Sequence, residues 1–297
     1  MIKNLNDGSR QVPRLKVYLN MGTLVDLRGD SVWPKLKGAE AMEFLKRAGF
    51  EGVQDAEAAV VAAAGMGSIG SGRVDTLTDA AVLAEKMKRV GHQAATVHVG
   101  TGFEDDAQMD ALVRSVLAAS THYDFPLYIE THRATITQDV WRTIQLTKRI
   151  PEVAFNGDFS HFYTGLELPY GDIMAKFEMM QPIFERVKFM HGRIGSPGCI
   201  QVDVGDGSRE TPQVHGMSNF MDHFREMWTR AMAGFLKSAM AGDYLVFAPE
   251  ILAPHIYYGR KFKGPDGGLM EESDRYAQAL VYMRMARECF SEAEKRQ

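Results

Sequence analysis

Short apolar runs alternate with segments of helical periodicity along nearly the whole chain, which is the pattern of parallel α/β architecture. Residues 15–20 predict a strand, 39–48 a helix that stops at Gly49, and 52–54 a brief second strand. After a glycine-rich stretch, Leu77, Ala80, Leu83, Ala84 and Met87 share one helical face. They predict a helix over about 76–90, with Gly91 where a C-terminal cap glycine belongs. Further strands are expected at 94–99, 127–131, 153–158, 187–191 and 244–250. The helices between them are marked by Met109, Leu112, Val113, Val116 and Leu117, by 138–149, within 172–186, and by 219–240 and 274–294. This makes seven strands. The eighth, needed to close a (β/α)8 TIM barrel, is expected somewhere in 194–204. No repeat or linker divides the chain, so 1–297 reads as one barrel domain, with 1–14 as an N-terminal extension and 192–217 as a long active-site loop.

Composition narrows the class without naming a chemistry. A net charge of -4 and no run of Lys or Arg argue against a nucleic-acid surface. The two cysteines, Cys199 and Cys289, are too few for a disulfide framework and point to a reducing cytoplasm. The polar N-terminus has no signal-peptide core, and the most apolar stretch, 56–70, is too short and too rich in Ala and Gly to span a membrane. The 18 methionines suit adaptable helix packing, and no cofactor role is assigned to them.

Chemistry enters at the strand ends, because a parallel barrel carries its active site at the C-terminal ends of its strands. Glu130, Asp158, His191 and Glu250 each follow an apolar β run directly. Taken singly, an acidic residue there is often a helix N-cap, His191 a loop hydrogen bond, and Arg193 a structural ion pair. Four successive strand ends of this kind are much harder to explain independently. Three carboxylates and an imidazole on one axis repel unless a cation sits among them. Oxygen donors with one nitrogen suit Mn²⁺, Mg²⁺ or Co²⁺, with Zn²⁺ left open.

In this order, Glu130-Thr131-His132-Arg133, Asp158-Phe159-Ser160-His161, His191-Gly192-Arg193-Ile194-Gly195 and the final Glu250 resemble the xylose-isomerase-like superfamily of sugar (phosphate) isomerases and epimerases. The resemblance runs from Leu15 onward and is weakest after Gly195. It implies one divalent metal ion, Mn²⁺ in the first place, held by Glu130, Asp158, His191 and Glu250. Glu130 and Glu250 would also exchange protons with the carbon beside the substrate carbonyl, and His161 and Arg193 would bind substrate oxygens. His132, on the same face as Glu130, and His98, which ends its strand, are further substrate-contact candidates. Family members often assemble as dimers or tetramers, and the Phe- and Met-rich stretch 220–235 serves either as an interface or in packing of its helix on the barrel. The segment after Glu250 and the long loop carrying His215 depart from the epimerase pattern, which leaves the reaction open.

Gly65-Met66-Gly67-Ser68-Ile69-Gly70 matches G-x-G-x-x-G, but an Ala-rich helical segment precedes it where a dinucleotide fold needs a strand. It is expected to be a loop over the barrel mouth, from which Arg73 reaches toward a substrate. Trp33, Trp141 and Trp228 are expected to pack, and Cys199 lacks a base to activate it. The expected activity is therefore isomerisation or epimerisation of a carbohydrate by metal-assisted proton transfer. Elimination from a keto-sugar by a lyase or deglycosidase is the alternative on the same site, with His215 as the extra acid. An apurinic-site endonuclease and a non-catalytic sugar-binding barrel rank below these.

Overall fold

The computed structural model describes residues 2–208 and 220–297. After a two-residue strand β1 (Leu5–Asn6) come β2 (Arg14–Asn20), β3 (Gly52–Gln54), β4 (Gly67–Val74), β5 (Ala94–Val99), β6 (Leu127–Glu130), β7 (Phe155–Gly157), β8 (Val187–Gly192) and β9 (Asp243–Pro249). Each strand from β2 to β8 pairs in parallel with its successor's side of the sheet, and β9 pairs with both β8 and β2, so the sheet closes into an eight-stranded barrel. Strands β6, β8 and β9 are buried along their whole length, walled by the barrel interior on one face and by helices on the other. That is why they read as continuous apolar runs and do not alternate.

The surrounding helices are α1 (Gly38–Arg47), α2 (Ala58–Ala63), α3 (Asp79–Val90), α4 (Asp106–His122), α5 (Val140–Arg149), α6 (Phe159–Gly165), α7 (Ile173–Phe184), α8 (Phe220–Leu236) and α9 (Arg275–Lys295). Their ends follow local chemistry. Asp105 and Gln108 form a reciprocal capping box on α4, and Asp139, Asp172 and Asp274 cap α5, α7 and α9 through their side chains. Gly91 ends α3 at φ 97°, a left-handed conformation that costs glycine little. The N-terminal extension covers the far end of the barrel, with β1 antiparallel to β9 and Ile2 and Leu5 buried.

Three expectations need correction. The eighth strand is not in 194–204, where Ser196 and Cys199 exchange backbone hydrogen bonds of 2.7 and 3.3 Å in a tight turn. It is β4, the glycine-rich segment expected to be a loop over the mouth. Its glycines are there for packing. A Cβ on Gly67 would overlap the Tyr18 hydroxyl and lie 2.5 Å from Gln93 Oε1, and one on Gly70 would lie 2.7 Å from Met87 Sδ. These side chains fill the space that bulkier strand residues would occupy. Arg73 accordingly lies within β4 and is held by Asp75 and by the Gly100 carbonyl, at 2.9 Å each. The second is the loop itself, since 67–74 is a strand; along 220–235, Phe224, Met227, Trp228, Met232 and Phe235 are all buried. Trp228 packs edge-on against Phe247 of β9, so this face serves helix–barrel packing. The third is Trp141, which is largely exposed, whereas Trp33 and Trp228 pack as expected. His215 lies outside the described residues.

Beyond β9, β10 (Lys261–Lys263) and β11 (Leu269–Glu271) form a hairpin. Buried Arg275 at the start of α9 ties this region to the loop after β2, donating to Glu271 Oε1 at 2.6 Å and to the Thr23 and Val25 carbonyls at 2.8 and 2.6 Å. If 67–74 is a packed barrel strand, Gly67→Ala should lower stability by about 1–3 kcal/mol through overpacking. Gly165→Ala, with open space at its Cβ, should be close to neutral. Urea unfolding of both variants checks this, and a tolerated Gly67→Ala would contradict the packing argument.

Candidate metal centre

Glu130 is the last residue of β6, Asp158 follows β7, His191 lies in β8 and Glu250 follows β9. One ligand atom from each lies within 4.8 Å of all the others. The strands are neighbours in the barrel wall, so equivalent positions on their C-terminal ends face the same point. The site joins two roles at Asp158. Its Oδ1 accepts from the Ser160 backbone N–H at 3.1 Å and so caps α6, while its Oδ2 is buried without a hydrogen-bond partner and faces the cluster. The N-cap reading applies to Oδ1, and Oδ2 is the oxygen turned toward the cluster.

Asn20, Gln54 and Asn156 surround the cluster with amides. Asn20 donates to Glu250 Oε1 at 2.8 Å, and Asn156 donates to Glu130 Oε2 at 3.2 Å. Gln54 donates to Thr96 Oγ1 at 2.9 Å, which orients its carbonyl oxygen toward His191 Nε2 at 2.7 Å. An amide oxygen only accepts, so Nε2 carries hydrogen and Nδ1 is the atom turned to the cluster, 3.3 Å from Glu130 Oε1 and 3.5 Å from Glu250 Oε2. These amides were not singled out from the sequence, although Asn20 and Gln54 also end apolar strand runs at the same rim.

The electrostatics are those of too many carboxylates around one point. Arg193, fully buried, is the fixed cation of the cluster among the described residues. Its Nη2 lies 3.2 Å from Asp158 Oδ2 and pairs with Glu250 Oε2, and its Nε donates to the Glu250 carbonyl at 3.0 Å. Burial alone would raise Glu130, but His191 and His98 outweigh it and hold that carboxyl well below its ordinary range. Burial prevails at Asp158 and Glu250, which are raised despite Arg193 and His191. His191 shows the demand for positive charge directly. Burial would depress it, yet Glu250 and Glu130 push it up to about 9, so a proton is drawn onto Nδ1. A divalent cation meets the same demand more fully. Three carboxylates and one imidazole, with Asp158 Oδ2 buried in ion-pair range of Arg193 but without a hydrogen bond, fit a hard divalent ion held by oxygen and nitrogen.

All four substrate-contact candidates gather around the cluster. His98 Nε2 lies 3.4 Å from Glu130 Oε2, and His161 Nε2 lies 3.5 Å from Asp158 Oδ2. The rings of His98, His132 and His161 stack, with centroids 4.2 and 3.9 Å apart. Burial keeps the inner two neutral, with His132 lowered to about 4 and His161 well below the usual imidazole value. Both ring nitrogens of His161 and Arg193 Nη1 are buried without a hydrogen-bond partner, so polar capacity is left over for a ligand. Tyr258, which no sequence pattern marked, completes the group with its hydroxyl 3.2 Å from His132 Nε2.

No family model matches the chain, and no curated protein matches it in sequence. Solved structures share its fold, among them these two. The probable 3-DHS dehydratase AsbF, involved in petrobactin synthesis in Bacillus anthracis, is 13% identical with a TM-score of 0.52, over 91% of this chain and 97% of that one. A xylose isomerase-like TIM barrel protein from Mycobacterium smegmatis, solved in complex with magnesium, is 14% identical at TM-score 0.52, over 93% and 97%. The chain thus has the TIM-barrel fold that these two structures share. No helix among the described residues is long and apolar enough to cross a membrane.

Two outcomes follow from this geometry. Gln54→Leu removes the acceptor that orients His191 and should weaken divalent-metal affinity about 10–100-fold; calorimetric titration with Mn²⁺ reads this, and unchanged affinity would deny Gln54 that role. Metal must also displace the proton that His191 holds below about pH 9. Affinity should therefore rise as pH increases toward about 9 and then level off, with a proton released on binding at neutral pH. Titrations in buffers of different ionisation enthalpy measure that release, and its absence would exclude a protonated His191 as a ligand.

Proposed function

We propose that this protein is a divalent-metal-dependent isomerase or epimerase acting on a sugar or sugar derivative. The observation that carries the reading is the meeting of Glu130, Asp158, His191 and Glu250 within 4.8 Å at the C-terminal end of the barrel. Manganese or magnesium suits this donor set, and the Mycobacterium smegmatis barrel of the same fold was solved with magnesium. When bound, the ion supplies Lewis-acid polarisation of a substrate carbonyl, which makes the adjacent C–H acidic.

The chain's own groups do the rest. Glu130 and Glu250 lie on different strands, both within about 3.5 Å of His191 Nδ1, so a substrate carbon beside the centre meets a carboxylate from two elements. One removes the proton and the other returns it, either to the opposite face or to the neighbouring carbon. His161 and Arg193 Nη1 offer unfilled hydrogen-bonding capacity for substrate oxygens. Asn20 and Asn156 each hold one oxygen of a catalytic glutamate and so fix its orientation.

The test is turnover of a panel of aldoses and ketoses in deuterated water by the metal-loaded protein. Deuterium should enter at the carbon next to the carbonyl, and Glu130→Gln and Glu250→Gln should each lose about 10²–10⁴-fold in rate while retaining metal. The Asp158→Ala/His191→Ala double variant should lose the metal, and unchanged metal content there would remove the centre. Metal-dependent release of water or another fragment from the substrate would reassign the reaction to elimination.

A further inference from the structure

We propose that the substrate of this centre carries an oxyanion, either a carboxylate or a phosphate group, and that Arg133 receives it beside Tyr258. The inference rests on the sugar-enzyme reading above and adds the charge of the substrate to it.

Tyr258 stands on the segment after β9 with two guanidinium groups against its ring, Arg193 at 4.4 Å and Arg133 at 5.2 Å from the ring centre. The ring is held in place from a third direction. His132 Nδ1 bonds the Arg133 carbonyl, which only accepts, so Nδ1 carries the hydrogen and Nε2 accepts from the Tyr258 hydroxyl at 3.2 Å. The phenol is thereby a fixed wall between two cations, one reaching the metal centre and one at the solvent edge.

The two guanidinium groups differ in how they are satisfied. Arg193 spends Nε and Nη2 on Glu250 and Asp158 and keeps Nη1 buried and without a partner, next to the two open nitrogens of His161. Unpaired buried donors are costly, and a ligand oxygen placed there offsets that cost. Arg133 is exposed and has no ion-pair partner among the described residues, in a chain with more acidic than basic groups. Some surface arginines, such as Arg28, Arg73 and Arg149, pair with a carboxylate, and others, such as Arg10, Arg47, Arg89 and Arg114, do not among the described residues; Arg133 is set apart by its place over Tyr258 at the edge of the site. The nearby carboxylates of Asp158 and Glu250 are engaged by Arg193, and among the described residues none pairs with Arg133.

A guanidinium without a counter-ion, stacked on an aromatic wall at the edge of an oxygen-binding site, matches the two oxygens of a carboxylate or phosphate better than a single hydroxyl. The inner donors, Arg193 Nη1 and His161, would then take hydroxyl or carbonyl oxygens nearer the reacting carbon. A chain of several carbons joins the two regions, so an acidic or phosphorylated sugar fits where a small neutral one leaves Arg133 unused.

Three stable polyols of matched length test this by calorimetry on the full chain loaded with Mn²⁺: D-glucitol, D-gluconate and D-glucitol 6-phosphate. At least one charged probe should bind about tenfold or more tightly than glucitol, and which one does distinguishes carboxylate from phosphate. Arg133→Ala should erase the preference, Arg133→Lys should keep part of it, and Arg133→Glu should turn it toward glucitol, all with unchanged metal content and glucitol affinity. Equal binding of the three probes by the unsubstituted protein, no binding of any of them, or a preference that survives Arg133→Ala overturns the proposal. If metal is retained in those cases the centre itself stands; a protein that takes up no Mn²⁺ sinks both.

Discussion

Three carboxylates brought to one buried point would drive their strands apart unless positive charge is supplied there, and the architecture of the barrel's C-terminal rim follows from meeting that demand. Arg193 supplies one charge and sits within reach of two of the three carboxylates. His191 draws in a proton to supply part of the remainder. What is still missing is a compact double charge with several coordination positions, which is the character of a divalent metal ion. The centre is defined less by any one residue than by this imbalance, and the neighbouring amides and histidines are arranged around it.

The orientation of the ligands depends on residues that carry no charge. Gln54 is held by Thr96 and in turn sets which nitrogen of His191 faces the cluster. Asn20 and Asn156 each steady one glutamate oxygen, and the other faces His191. Asp158 divides its two oxygens between a helix cap and the cluster, so the start of α6 and the placement of a ligand are one structural event. Such supporting contacts matter for function because a carboxylate that transfers a proton must be placed to within fractions of an ångström.

In the proposed reading, selectivity is built on the outer side. His132 and His161 are kept neutral by burial, so they offer hydrogen bonds without adding charge beside Arg193. Tyr258 separates the inner donors from Arg133, and the segment that carries it is joined through the hairpin to the loop after β2 by the buried Arg275. The wall of the site therefore belongs to a region anchored at both ends of the chain's circuit around the barrel.

The chain's alternation of apolar runs and helical faces was enough to determine the α/β barrel, because strand burial and helix amphipathicity are local patterns. The order of polar strand ends was enough to single out Glu130, Asp158, His191 and Glu250, since each follows its strand within a residue or so. The glycine-rich β4 was not legible, because its strand character comes from Tyr18, Gln93, Met87 and Leu83 filling the space above its glycines, and those residues are distant in sequence. Nor were the amide girdle, the histidine stack and Tyr258, whose meaning lies entirely in what they touch. Sequence can mark a residue that stands at a strand end, but only closure of the barrel decides which of those ends share a charge, because the distances between them are set by strand pairing and not by spacing along the chain.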